Sequence, residues 1–246
     1  MAHHHHHEGH HHHEQTHVEH KDYVTSNKEH FDAQATSVAD NPIWVELARR
    51  CAQNMLDVYP FNEESTIVMD FACNVGLLSR ALAPHAKSIV GVDISQKSVD
   101  VYNDTVSKQG LNPDEMRAVC VELKGEAGEL DDLKFDVVAC ASSYHHFASI
   151  DDITRMLAFF LKPGGVLLVT DFTRTEAQKA SAGSSALIDE KYSHLVPHTN
   201  GMTEEGLRKA FDGAGLTSFE FKHLSTLTLH GAEGTLFLAK GVKPSI

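Results

Sequence analysis

Hydrophobic and polar positions change period repeatedly along this chain. Apolar side chains at Ile43, Leu47, Cys51, Met55 and Val58 recur at helical spacing. They stand behind Asn41-Pro42, a capping side chain followed by proline at the first helical position. The pattern then switches to short, almost unbroken apolar runs. "STIVMDF" (65–71), "KSIVGVDI" (87–94), "MRAVCVEL" (116–123), "FDVVACA" (135–141) and "GVLLVTDF" (165–172) each predict a buried strand. Helical stretches separate them: "VGLLSRALA" (75–83), stopping near Pro84, and a polar helix capped by Ser95 and ended by Gly110. A third, "IDDITRMLAFFL" (150–161), is opened by Ser149 with Asp152 and closed by the turn Lys162-Pro163-Gly164-Gly165. Residues 173–200 are polar and small, without a period. Thr203 caps a last helix, "EEGLRKAFDGAG" (204–215), and "LTSFEFKHL" (216–224) and "GTLFLAKGV" (234–242) close the chain as strands.

Near-continuous apolar strands alternating with helices predict an α/β fold whose parallel sheet is covered on both faces. The expected architecture is Rossmann-like and doubly wound, a mostly parallel seven-stranded sheet. No helix separates the last two strands, so the C-terminal strand is expected to be antiparallel. No internal repeat is visible.

The first twenty residues stand apart. "MAHHHHHEGHHHHEQTHVEH" holds 11 of the 19 histidines and no Lys or Arg, so it cannot build a packed core. The expected organisation is a His-rich disordered tail over 1–20, natural or an artefact of cloning, and one domain over 21–246. Within that domain, 21–60 is read as an N-terminal lid and helix, and 173–200 as an insertion after the fifth strand.

Charge and cysteine usage narrow the function. Residues 21–246 carry 31 acidic against 21 basic side chains, a formal charge of −10, which argues against a nucleic-acid binder needing a basic face. No apolar run approaches the roughly 20 residues of a membrane span, and no hydrophobic signal segment is seen. Cys51, Cys73, Cys120 and Cys140 have no metal-ligand or paired spacing and read as reduced thiols, with no metal site expected. A cytoplasmic location, with a nuclear population left open, follows as the default expectation.

In an open parallel sheet the ligand crevice lies beyond the carboxyl ends of the strands, where strand order reverses. The residues placed there are Asp70 to Gly76, Asp93, Glu122, Ser142 to His146 and Asp171. An acid closing the second strand suits the two hydroxyls of a ribose, and Glu122 could accept from an adenine amino group. A pyrophosphate would need glycines where "VMDFACNVG" (68–76) holds Ala72 and Asn74. Asn tolerates a left-handed backbone, and Ala is the smallest residue with a Cβ. An acid and an amide on one compact loop suit a zwitterion, such as the amino-acid end of S-adenosylmethionine.

From Phe31 to Val242 the chain resembles the class I S-adenosylmethionine-dependent methyltransferases of the small-molecule type. The resemblance rests on Asp70, Ala72, Asn74 and Gly76 in the first motif, Asp93 after the second strand and Glu122-Leu123 after the third. "SSYHHF" after the fourth strand and "LKPGG" (161–165) complete it. The segment "HFDAQATSVADNP" is similar to the N-terminal lid of bacterial and fungal members. The resemblance implies S-adenosyl-L-methionine as cofactor, contacted by Asp70, Phe71, Ala72, Cys73, Asn74, Gly76, Asp93, Ile94, Glu122, Leu123, Ala141 and Ser142.

For a hydroxyl or thiol acceptor, His146 or His145 is the nearest candidate base, His146 preferred; one His simply capping the next turn is the competing reading. Tyr23, Phe31, His146 and His198 are the expected substrate contacts. Some similar sequences carry a paired His before Gly where this chain has Thr199 and Asn200. Cys73 is read as a space-filling thiol.

The expected function is methyl transfer to a small-molecule acceptor through O, S, N or C. A protein or RNA methyltransferase, a non-catalytic cofactor-binding partner protein and a dehydrogenase are the alternatives. A protein partner is compatible with this reading, and the sequence leaves oligomeric state open.

Overall fold

The computed structural model describes residues 22–183, 185–229 and 231–245; the histidine-rich segment at 1–20 lies outside them. Strands β1 (Ile67–Phe71), β2 (Ser88–Asp93), β3 (Met116–Cys120), β4 (Phe135–Ala141) and β5 (Leu161–Thr173) are parallel. Strand β7 (Ala232–Val242) runs antiparallel between β5 and β6 (Thr217–Leu229). The seven-stranded order is β3-β2-β1-β4-β5-β7-β6, so strand order reverses between β1 and β4. This is the doubly wound sheet that the alternating pattern predicts, with its antiparallel C-terminal strand.

Alternation along each strand divides the core into two layers. Val68, Ile89, Val137 and Leu168 face α2 (Pro42–Leu56), α3 (Leu77–Leu82) and α4 (Gln96–Lys108), where Met55, Leu82 and Tyr102 are buried. Met69, Val90, Val138 and Val169 face the other way, toward α5 (Ile150–Phe159) and α7 (Glu204–Gly213) with Leu157, Phe160 and Phe211. Nearly every strand position is therefore apolar, as a sheet covered on both faces requires.

Local chemistry sets the helix starts. Asn41 accepts from Ile43 N, Ser95 from Ser98 N, Ser149 from Asp152 N and Thr203 from Gly206 N, the four caps expected from the sequence. The Lys162–Gly165 turn instead lies inside β5 as a bulge. Leu161 still pairs with Phe135, Val166 pairs with Val137, and Gly164 takes φ +79° while its N–H donates to Lys243 O. Residues 173–200 contain α6 (Glu176–Ala182), opened by a Thr175/Gln178 capping box, and a 3-10 turn at Glu190–Tyr192.

The segment read as an N-terminal lid forms α1, Tyr23–Val38, packed against α4. Its only buried residues are Asn27 and Ala35. No helix among the described residues is long and apolar enough to cross a membrane.

Candidate active site

The carboxyl ends of β1, β2 and β4 open into a cavity of about 820 Å³. Its floor is the loop after β1. Ala72 (φ 56°) and Asn74 (φ 47°) are both left-handed, as is Gly76 (φ 81°) at the start of α3. Asn is suited to this region, whereas Ala pays about 1–2 kcal/mol for it. Surrounding bonds hold the strained turn: Cys73 N–H donates to Val92 O, and Asn74 N–H donates to Asp93 Oδ2 at 2.8 Å.

Two acids define one end. Asp93 closes β2; its Oδ1 accepts Ser95 N–H at 2.8 Å and its Oδ2 the Asn74 amide, so one carboxylate ties the first loop to the start of α4. Burial raises its pKa against the lowering effect of those amides. Asp70 closes β1 and is fully buried, with Oδ2 accepting Ser79 Oγ at 2.6 Å and Ser79 N at 3.1 Å. Burial pushes its pKa up to about 7. Both acids line the cavity, with exposed Glu122 and buried Leu123 farther along.

The other end is built by histidines. His145 and His146 sit on a 3-10 turn, Tyr144–His146, after the left-handed Ser142 (φ 54°). His145 Nδ1 lies 2.7 Å from Asp171 Oδ1, and the His145 backbone N–H donates to Asp171 Oδ2 at 3.0 Å. Asp171, fully buried on β5, thus fixes both the ring and the backbone of His145. A carboxylate accepts from an imidazole N–H, so Nδ1 carries the proton and Nε2 the lone pair. His146 Nδ1 donates to Leu195 O at 3.2 Å, giving the same tautomer, and burial with the neighbouring His145 holds its pKa well below 6.5. The two rings are 4.3 Å apart.

Helix α1 covers this end. Phe31 meets the His146 ring edge-on at 5.4 Å, and Tyr23, Asn27 and His30 line the same wall. Asp32, next in sequence, accepts from Ser95 Oγ at 2.6 Å and Lys97 N at 3.1 Å, tying α1 to the N-terminus of α4.

Most expected site residues come together here. Phe71, Ala72, Cys73, Asn74, Ile94, Ala141 and Ser142 line the cavity, and burial pushes the Cys73 thiol well up, consistent with space-filling. Two expected residues do not line it. Gly76 serves the backbone: a Cβ there would sit 2.4 Å from the Tyr102 ring. His198 stands behind the wall, its Nε2 donating to Phe147 O at 2.9 Å. Sequence reasoning noted Asp171 without pairing it to His145, and missed Asn27 and Asp32. Among the described residues no group of three or more His, Cys, Asp or Glu is placed to hold a metal ion.

A doubly wound sheet carries its ligand crevice at the switch point of strand order, and here that crevice is lined by acids. A family described as a methyltransferase domain matches residues 43–220. The chain belongs to that family, the class I S-adenosylmethionine-dependent methyltransferases. An uncharacterized methyltransferase of Schizosaccharomyces pombe is 33% identical over 157 residues, 62% of this chain and 54% of its own length. A ubiquinone biosynthesis O-methyltransferase of Sinorhizobium fredii is 32% identical over 108 residues, 44% of this chain and 42% of its own. The chain thus spans about half the length of these curated relatives.

Among solved structures, geranyl diphosphate C-methyltransferase from Streptomyces coelicolor, bound to S-adenosyl-L-homocysteine, superposes with TM-score 0.68 at 12% identity. That match covers 90% of this chain and 98% of the other. The magnesium protoporphyrin IX methyltransferase of Synechocystis, also with bound S-adenosylhomocysteine, gives 0.66 at 17% identity, covering 90% and 100%. At these identities the likeness is one of fold.

Proposed function

We propose that this protein transfers the methyl group of S-adenosylmethionine to a small-molecule acceptor held beneath α1. The observation that carries the reading is one continuous cavity whose two ends differ in chemistry. One end offers Asp70, Asp93 and the left-handed loop; the other offers His145, His146 and apolar walls. Its 820 Å³ lies in the upper part of the roughly 300–1,000 Å³ common for ligand pockets, enough for a cofactor and a small acceptor end to end.

In this reading Asp93 accepts both ribose hydroxyls, Glu122 faces the adenine, and Asp70 meets the ammonium of the methionine end. Ala141 and Ser142 lie between the cofactor and the histidines. Bound there, the sulfonium supplies an electrophilic methyl group. The chain's own task is to align a nucleophile behind that methyl and keep water away, which fixed geometry can supply at several kcal/mol. Phe31 and Tyr23 close the acceptor side, and His146 or His145 accepts a proton where the nucleophile carries one.

Support also comes from the curated relatives, among them an O-methyltransferase of ubiquinone biosynthesis. Calorimetric titration with S-adenosylhomocysteine, followed by tritiated-methyl transfer into a metabolite panel, tests the reading. Micromolar binding and label in a small-molecule product are expected; absence of binding would overturn it.

A further inference from the structure

We infer that the acceptor is an uncharged, largely apolar molecule methylated on an ionisable hydroxyl oxygen, phenolic or enolic, whose proton passes to His145 with Asp171 holding the ring. This rests on the methyltransferase reading and specifies the acceptor.

Charge comes first. The cavity wall holds no Lys or Arg among the described residues, while Asp22, Asp70, Asp93, Glu122 and Asp152 contribute acids. A carboxylate or phosphate acceptor would have to leave water with no Lys or Arg side chain to receive it, and burial of a poorly paired charge is disfavoured. Around the histidines the wall is apolar, made by Phe31, Phe147, Phe172, Ile188, Leu195 and Val196. The apolar surface continues outward: Val24 and Trp44 line the cavity yet are 46% and 40% exposed, with Ile43 and Val45 exposed beside them. An apolar body fits this wall and this rim together.

Hydrogen-bonding capacity comes second. Asn27 is 6% exposed, and its Nδ2 donates to both Tyr23 O and Leu195 O, which fixes its amide orientation. Its Oδ1 is buried with no partner. His145 and His146 each use Nδ1 as donor, leaving Nε2 as an acceptor with no protein partner among the described residues. The two imidazole acceptors on one wall suit a ligand that brings hydrogen-bond donors, and a hydroxyl does so.

The histidines then divide the work. An imidazolium at His146 would have only a backbone carbonyl as partner, whereas one at His145 has the buried Asp171 carboxylate at 2.7 Å. In the reaction the acceptor O–H bond breaks and its proton goes to His145 Nε2. The oxygen electron pair forms the O–CH3 bond as the S–CH3 bond breaks, its electrons returning to sulfur as a neutral thioether. His145 then releases its proton to water. Asp171 is a positioning residue, touching the ring and not the acceptor.

The test uses the full chain and three matched probes: 4-butylphenol, 4-butylaniline and 4-butylbenzoate, each extended to the octyl homologue. S-Adenosylhomocysteine titration is run beside it. Methyl transfer to the phenols at least 100-fold faster in kcat/KM than to the benzoates, and above the anilines, is expected. Asp171→Asn should lower kcat about 100-fold. It should also remove the rise of kcat with pH, with S-adenosylhomocysteine affinity unchanged. Loss of that affinity in the wild type would sink the methyltransferase reading itself. Normal affinity with no phenol methylated, or with benzoates or anilines preferred, would overturn the acceptor proposal alone, without reliance on any variant. An Asp171→Asn enzyme with an unaltered pH profile would overturn the role of His145.

Discussion

Asp70 offers a quantitative check on the proposed cofactor end. Its carboxyl is buried at the end of β1, and burial pushes its pKa up to about 7 although Ser79 Oγ and N both bond it. With the folded value above the ordinary 3.8, the stability this group contributes is fully present below about pH 4 and lost as pH rises through about 7. An ammonium beside the carboxylate reverses the balance, because an opposite charge within about 4–6 Å lowers such a pKa by roughly 1–3. Taking about 7 for the empty site and about 4 for the filled one, about nine-tenths of a proton leaves at pH 6 and about one-tenth at pH 8. The same linkage weakens S-adenosylhomocysteine binding about eightfold between pH 7.5 and pH 6. Calorimetry at pH 6 in two buffers of different ionisation enthalpy reads the proton count as a slope. Asp70→Asn retains an acceptor for Ser79 and should abolish that slope. Tight binding with zero slope in the wild type, or an equal slope in Asp70→Asn, would refute the placement of the ammonium at Asp70.

Three other outcomes follow from the geometry. Asp93→Ala removes a ribose acceptor and frees the Asn74 and Ser95 amides. Bonds to a charged partner are worth about 1.5–3 kcal/mol each, so titration should show S-adenosylmethionine affinity down at least tenfold; wild-type affinity would place the ribose elsewhere. Gly76→Ala must push a Cβ into Tyr102 at 2.4 Å with φ at +81°, costing about 3 kcal/mol in urea unfolding, and a change under about 1 kcal/mol would show that the loop relaxes freely. Phe31→Ala should cut turnover far more than melting temperature, and hydrogen exchange across 23–38 should slow with S-adenosylhomocysteine. Exchange already slow without ligand, joined to a large stability loss, would make α1 a permanent layer rather than a cover.

What the sequence revealed and what it hid divide along physical lines. The caps Asn41, Ser95, Ser149 and Thr203 were legible because a side chain and an amide two or three residues away form the whole interaction. The five parallel strands were legible because burial on both faces leaves few polar positions inside them, most of these toward the strand ends. Asn74 in a left-handed turn was foreseeable from its side chain; Ala72 in the same conformation was not, because its strain is offset by long-range bonds. The extent of α1 was hidden because only Asn27 and Ala35 are buried, so no apolar period marks it. Its anchors, Asp32 to Ser95 and Asn27 to Leu195, span 63 and 168 residues. The aperiodic 173–200 segment likewise conceals Leu187, Ile188, Leu195 and Val196, buried without regular structure to space them.

The consecutive residues Phe31 and Asp32 tie the two ends of the cavity together. Asp32 is bound to Ser95 Oγ, Ser95 N–H is bound to Asp93, and Asp93 holds the Asn74 amide, so a short chain of hydrogen bonds runs from α1 to the loop after β1. Phe31, one residue back, lies against His146. A ligand that orders Asp93 and its loop therefore acts on the same helix that walls the histidine end. Free-energy coupling of this kind is reciprocal: whatever an occupied cofactor end adds to acceptor affinity, an acceptor returns to cofactor affinity. On the proposed reading, the arrangement also accounts for an acceptor wall built from a segment outside the sheet. The strands can fix an acid at the end of each ladder, but in the proposed reading a cover over the methyl donor has to sit across the strand ends, and a helix latched at one carboxylate would meet that demand while leaving its other face to the acceptor.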